Sequence, residues 1–349
     1  MSEAFHYGGQ AVIEGVMMRG RQAMAVAVRH PSGEVVVHGE PLNRGVYRSP
    51  WAKRPLIRGA LLLWDTLVLG TRALVYSASV AMADEEEEEA DAKTAPAGGP
   101  AGPAGANGAV AGAGETAPSR TVAEQSAAAA EEAFGGKMLW GMMAMSLAFG
   151  VGIFFIAPLL LTRLVDPFLP TALHSVLVEG SIRIALFFGY VWLIGRLPDV
   201  RRVFAYHGAE HKAINALEAG EPLAPAGVGR YSVAHPRCGT SFLLVVVVLS
   251  IFVFGLLGRP ALPVRIVSRV ALVPVVAAVA YEVIRFAARR PRNPAVRVIL
   301  APGMALQKLT TREPDASQVE VAIAALKRVM EMDGLAAPAV TPPAPPAVV

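Results

Sequence analysis

Two histidines four residues apart, with a carboxylate between them, stand at His207-Gly-Ala-Glu210-His211 in a chain of 349 residues. On a helix, positions i and i+4 lie one turn apart on a single face. Both imidazoles can then reach one cation, and the neighbouring carboxylate can act on a water beside it. The order H-x-x-E-H is that of inverzincin peptidases. After 23 intervening residues comes His235-Pro-Arg-Cys238, a second chelating pair whose sulfur favours zinc or another soft ion. Cys238 is the sole cysteine, so it is a thiol and not half of an internal disulfide. The pattern predicts a divalent metal site, zinc first, drawing its ligands from His207, His211, His235, Cys238 and Glu282, with Glu210 as the catalytic base. Glu282 enters because a carboxylate in an apolar helix is costly unless paired or ligated. An ion pair with Arg285 or Arg289 is its competing reading, and a closed structural zinc site is the competing reading of the four His and Cys residues. His6 is a remote fifth ligand, and His30, His38 and His174 read as surface residues.

A glycine-punctuated stretch, Gly8-Gly9-Gln10 through Glu14-Gly15 to Arg19-Gly20, permits close backbone approach. Gly9, Glu14 and Arg19 are its candidate substrate-binding residues, against a purely structural hairpin. It lacks the spacing and lysine of a nucleotide-binding P-loop.

The elements that must position these residues are mostly apolar. With 54% apolar residues, 17% charged and a mean hydropathy of +0.45, the chain is not that of a freely soluble protein, and the bilayer is the expected solvent. Residues 84–133 hold eleven of the 28 acidic side chains and two of the 32 basic ones, leaving 30 basic against 17 acidic elsewhere. In a membrane protein such an excess reads as Lys/Arg retention beside spanning helices; nucleic-acid binding is not expected. The N-terminus lacks a basic start followed by an apolar core, so no cleavable signal is expected.

The predicted fold is mainly α: a polytopic membrane protein of about four spans with a small N-terminal β-sheet on the cytoplasmic side. Residues 1–59 form the β-rich segment, with about three strands over 8–41. Residues 60–83, interrupted by Asp65 and Arg72, read as an amphipathic or interfacial helix, with a further span as the alternative. The acidic and Ala/Gly/Pro run 84–133 reads as a disordered tether. A membrane domain over 134–290 contains spans at Met138–Leu161, Val176–Gly195, Gly239–Gly258 and residues 266–286. In the second, Glu179 and Arg183 pair at i,i+4; in the fourth, Arg269 can snorkel. The connection 196–238, with six basic residues, carries the metal motifs. Residues 291–335 form a tail with an amphipathic helix, apolar at Val319, Ile323, Leu326, Val329 and Met330, and 336–349 are disordered. The basic residues flanking the spans place both termini and 196–238 on the cytoplasmic side of a bacterial inner membrane.

GGQAVIEGVMMRG at 8–20, LIRGALLLWDTLVLG at 56–70, YHGAEHK at 206–212, HPRCGTSF at 235–242, YEVIR at 281–285 and LQKLTTREPD at 306–315 together resemble the YqhQ-like family of bacterial membrane proteins (domain of unknown function 1385), described as predicted metal-dependent enzymes. The resemblance covers nearly the whole chain except the acidic tether. It implies a metal and an enzyme without naming a substrate. The function expected is a metal-dependent hydrolase at the cytoplasmic face acting on a membrane-associated peptide or, second, a lipid. A non-enzymatic, zinc-stabilised membrane adaptor or assembly factor is the alternative, and ion transport ranks last.

Overall fold

Residues 8–41 form an antiparallel meander of β1 (Gly8–Val12), β2 (Gly15–Arg19), β3 (Ala23–Arg29) and β4 (Val35–Pro41), in the order β1-β2-β3-β4. The sheet has four strands, not about three, because Gly8–Arg19 folds as a hairpin of two. Val12 pairs with Gly15, and Ile13-Glu14 make the turn with Glu14 at φ 49°. The computed structural model describes residues 7–42, 54–82, 136–288, 290 and 293–335. The segments 84–133 and 336–349, His6, Arg289 and the N-terminal basic run from Arg44 to Lys53 lie outside them.

Both faces of the sheet are covered, which explains why its strands do not alternate cleanly between apolar and polar. On β3, Ala23, Ala25 and Ala27 point to one side and Met24, Val26 and Val28 to the other. The alanines, with Val16 and Met18, pack against Tyr206, Ala209 and Ala213 of helix α5 (Pro198–Glu218) and against the C-terminal helix α10 (Ala316–Met332). Small side chains there let two helices approach the sheet closely. The larger ones, with Met17, pack on Leu69, Ala73, Tyr76 and Val80 of α1 (Ile57–Ala81). Burial of each large apolar side chain contributes about 1.5–3 kcal/mol. Helix α10 begins at a capping box between Asp315 and Gln318 and buries Val319, Ile323, Leu326, Val329 and Met330, the face its periodicity predicts.

The apolar part comprises α2 (Gly136–Val151), continued through a π-turn at Gly152–Ile156 into α3 (Ala157–Val165), then α4 (Ala172–Ile194), α7 (Gly239–Gly255), α8 (Leu262–Ala288) and α9 (Pro294–Thr310); a short α6 (Pro225–Val228) follows α5. Four described helices are long and apolar enough to cross a membrane: Ile57–Ala81, Trp140–Phe168, Ala172–Ile194 and Leu262–Ala287. The set differs from the expected one. Helix α7 has 17 residues, a length of about 26 Å against a hydrocarbon core of about 30 Å, whereas α1 meets both criteria. Helix α7 packs against α4, α8 and α9. Arg269 does not snorkel: it is 1% exposed and turned inward to Glu179, because a buried carboxylate attracts a guanidinium more strongly than the lipid edge does.

Chain order separates two ends of this bundle. The end of α4 and the start of α7 flank α5, so they lie at the end that carries the histidines. The start of α4, the end of α7 and the start of α8 lie at the other.

Candidate metal centre

Pro198 opens α5 and Asp199 sits in its first turn, both favourable at a helix N-terminus. About two and a half and three and a half turns on, His207 and His211 project from one face with ring centroids 4.4 Å apart. Each ring is held by a backbone carbonyl: His207 Nδ1 lies 2.9 Å from the Thr310 oxygen and His211 Nδ1 2.6 Å from the Val233 oxygen. Carbonyl oxygens only accept, so both histidines carry their proton on Nδ1 and present an Nε2 lone pair, the orientation in which metal-ligating histidines are held.

The third donor comes from the N-terminus of α7. Cys238 is the residue preceding that helix, and its sulfur accepts the Thr240 N–H at 3.4 Å and lies 3.1 Å from the Thr240 hydroxyl. Its Sγ is 3.2 Å from His207 Nε2. Donor atoms of His207, His211 and Cys238 all lie within 4.8 Å of one another. Two oriented imidazoles and a thiol fit a zinc-type ion better than a hard cation such as magnesium.

Thr310 reaches His207 because the chain after α9 crosses α5 at Gly208. A methyl group there would collide with the Arg312 carbonyl oxygen, and the Arg312 N–H bonds the Phe204 oxygen at 2.9 Å. Gly208→Ala should therefore push residues 310–312 away and release the His207 ring. The expected result is a zinc affinity lower by about 10- to 100-fold, read by titration against a chromophoric chelator, with the helix content of the full chain unchanged.

Glu210 is buried beside the triad, its Oε2 3.5 Å from His211 Nε2. Burial pushes its carboxyl up to about 7, while its interaction with His207 and the Gly9 N–H bonded to it act in the opposite direction. The contact with β1 requires glycine: a Cβ at Gly9 would stand 2.6 Å from the Met17 carbonyl oxygen and 2.8 Å from Glu210 Cγ. Gly9, His207, Glu210, His211 and Cys238 line one cavity of about 850 Å³. Its far wall is Leu62, Asp65 and Leu69 of α1 with Tyr281 of α8, and Arg19 borders it while bonding Asp65 at 2.5 Å.

The other expected site residues stand elsewhere. His235 lies on the cavity wall, its ring 5.8 Å from that of His211 and its Nε2 3.6 Å from Glu218 Oε2; Gln307 grips its backbone N–H and C=O, each at 2.9 Å. It is next to the triad, not within it. Glu14 is not on the cavity. It takes a two-pronged ion pair from Arg202 and a bond from the Tyr206 hydroxyl at 3.3 Å, which fastens the β1–β2 hairpin to α5. Glu282 is not a ligand in this arrangement. Its carboxylate is held in two-pronged fashion by Arg58 of α1, at a separate cavity of about 490 Å³ with Arg285 and Arg290. Of the surface histidines, His30 bonds Ser32 and His174 bonds Thr171, while the His38 ring lies tilted 5.2 Å from that of Tyr76. Sequence reasoning missed Thr310, Val233 and Gln307. The first two act through backbone oxygens, which leave no trace in residue type.

Comparison with known proteins adds kinship without chemistry. A family model described as "Protein of unknown function (DUF1385)" matches residues 54–332. The chain is similar to the "Uncharacterized protein YqhQ" of Bacillus subtilis (strain 168), 29% identical over 333 residues that cover 94% of this chain and 93% of that protein. No solved structure matches.

Proposed function

The chain belongs to the DUF1385 family of proteins of unknown function, and from that premise we propose that it is an integral membrane, metal-dependent hydrolase whose site faces the cytoplasm. One observation carries the reading. Three donors, His207, His211 and Cys238, converge on the wall of an 850 Å³ cavity that also contains the buried Glu210. Three protein ligands with room for a fourth, non-protein one is the catalytic arrangement, whereas structural zinc sites are closed by four. A bound zinc ion supplies Lewis acidity toward a carbonyl or phosphoryl oxygen and toward water. Glu210 then accepts the proton of the attacking water and returns it to the leaving group, and Arg19 orients the substrate from the rim.

The cavity's position supports a membrane-associated substrate, peptide first and lipid ester second. One wall is helix α1, whose C-terminal half covers the sheet while its first turns meet α8 at Gly59 and Tyr281. We read α1 as lying at the bilayer surface, with the sheet, α5, α10 and both termini on the cytoplasmic side of the inner membrane. The second reading, a zinc-stabilised adaptor, draws on His235, whose ring lies 5.8 Å from that of His211.

The test uses the purified full chain. Metal analysis should find one zinc per chain. Incubation with a panel of unstructured peptides and phospholipid vesicles should show hydrolysis that chelation removes and zinc restores. One zinc without turnover of either class would favour the adaptor, and no bound metal would refute both.

A further inference from the structure

At the end of the bundle away from the histidines, the structure buries more positive charge than its own acids balance. Arg183 and Arg269 are each 1% exposed, Arg265 6% and Glu179 3%. Glu179 alone is shared by three guanidiniums: Arg183 Nη2 at 2.7 Å, Arg269 Nη2 at 3.0 Å and Arg265 Nη2 at 3.3 Å. Asp166 is shared by two, Arg265 at 2.8 Å and Arg259 at 3.5 Å. Among the described residues, four arginines thus meet two carboxylates. The surplus shows at the level of atoms: the buried Arg269 Nη1 and Arg265 Nε have no hydrogen-bond partner among the described residues.

Position makes the imbalance costly. Glu179 and Arg269 each stand seven residues inside their helices and Arg183 eleven, so the cluster reaches about 10–16 Å along the helix axes. An uncompensated guanidinium at such depth is strongly unfavourable, and buried arginines are normally matched by acceptors. Phe155 and Phe254 offer ring faces to Arg183, and Phe254 also to Arg269, which helps a cation but supplies no counter-charge. The same end opens into a cavity of about 400 Å³ bordered by Arg163, Asp166, Pro260, Leu262 and Arg265. Arg265 belongs both to the cavity wall and to the buried cluster. In the proposed orientation this is the outer face, where spanning proteins carry few Lys and Arg.

We propose that this end of the bundle is a binding site for a phosphate-type oxyanion, seated in the cavity against Arg265 and Arg163. Guanidinium forks match the paired oxygens of phosphate and hold them by charge-assisted bonds. The anion brings the negative charge that Glu179 and Asp166 leave unmet. Its source is either the headgroup of an anionic lipid, which occupies the bilayer interface where these helices end, or free inorganic phosphate.

The test uses the full chain in nonionic detergent and in nanodiscs of phosphatidylcholine with or without phosphatidylglycerol. Native mass spectrometry should show phosphatidylglycerol retained in preference to phosphatidylcholine. Arg265→Gln should lower that retention about tenfold or more, the effect of losing one charge-assisted hydrogen bond. Arg163→Gln, on an exposed side chain outside the Glu179 cluster, should lower it several-fold with helix content unchanged, and it decides the matter if Arg265→Gln fails to fold. Should millimolar inorganic phosphate instead raise the melting temperature and displace the lipid, the site stands with free phosphate as its ligand. Equal retention of the two lipids, indifferent to Arg163→Gln and to phosphate, would overturn the proposal.

Discussion

Cys238→Ser should release the metal while leaving the fold standing. Structural zinc is held with roughly 10–16 kcal/mol over four ligands, about 2.5–4 kcal/mol for each, and a hydroxyl is a poor substitute for a thiol toward a soft ion. Zinc affinity should therefore fall by roughly 100- to 1,000-fold. The substitution is selective because of where Cys238 sits. It precedes α7 and accepts the Thr240 N–H, and serine caps a helix in the same way, so α7 keeps its start. In an open, three-ligand site the variant unfolds at the temperature of the chelated wild type. Wild type with zinc at a hundred times its dissociation constant gains about 2.7 kcal/mol over that state. The measurement pairs zinc titration with thermal unfolding, each with and without chelator. Retention of zinc by Cys238→Ser would remove the thiol from the site. Collapse of residues 220–238 on loss of zinc would point instead to a closed site that holds the segment in place.

What the sequence could and could not disclose about this centre follows from which groups do the holding. His207 and His211 were legible because helical geometry alone places i and i+4 on one face, and Cys238 because a lone thiol beside a histidine is a rare donor pair. The apolar face of α10 was legible for the same periodic reason. The carbonyls of Thr310 and Val233 were not, since any residue supplies a carbonyl, and Gly208 signals close approach without saying to what. Glu282 was misread for a complementary reason. Its charge demanded a partner, and local spacing offered Arg285 and Arg289, but the actual partner is Arg58, 224 residues away. The same limit applies to Glu179: the i,i+4 bond from Arg183 was predictable, whereas Arg265 and Arg269 arrive from another helix. The β1–β2 hairpin was one of two readings of its glycine-punctuated stretch; its turn, Ile13-Glu14, carries no glycine at the positive-φ position, and the glycines beside it serve close packing instead.

Glu210→Gln should separate chemistry from metal binding. The carboxylate is held by the Gly9 N–H and lies near His211, but Glu210 is not one of the three converging donors. Glutamine keeps the shape and an acceptor oxygen for Gly9, so zinc content and thermal stability should match wild type. It cannot take up a proton. If Glu210 accepts the proton of the attacking water and returns it to the leaving group, kcat on the substrate class that wild type hydrolyses should fall by about 10²–10⁴-fold with KM little changed. Glu210→Asp, one methylene shorter, keeps the acid but withdraws it from its position, and should recover only part of the rate. Its partial recovery tells a proton carrier from a packing residue, for which glutamine would be the better replacement. Full activity in Glu210→Gln would assign the proton to another group. Loss of zinc from Glu210→Gln would show the carboxylate to be a ligand, and the cavity would then face a centre whose fourth position is already taken.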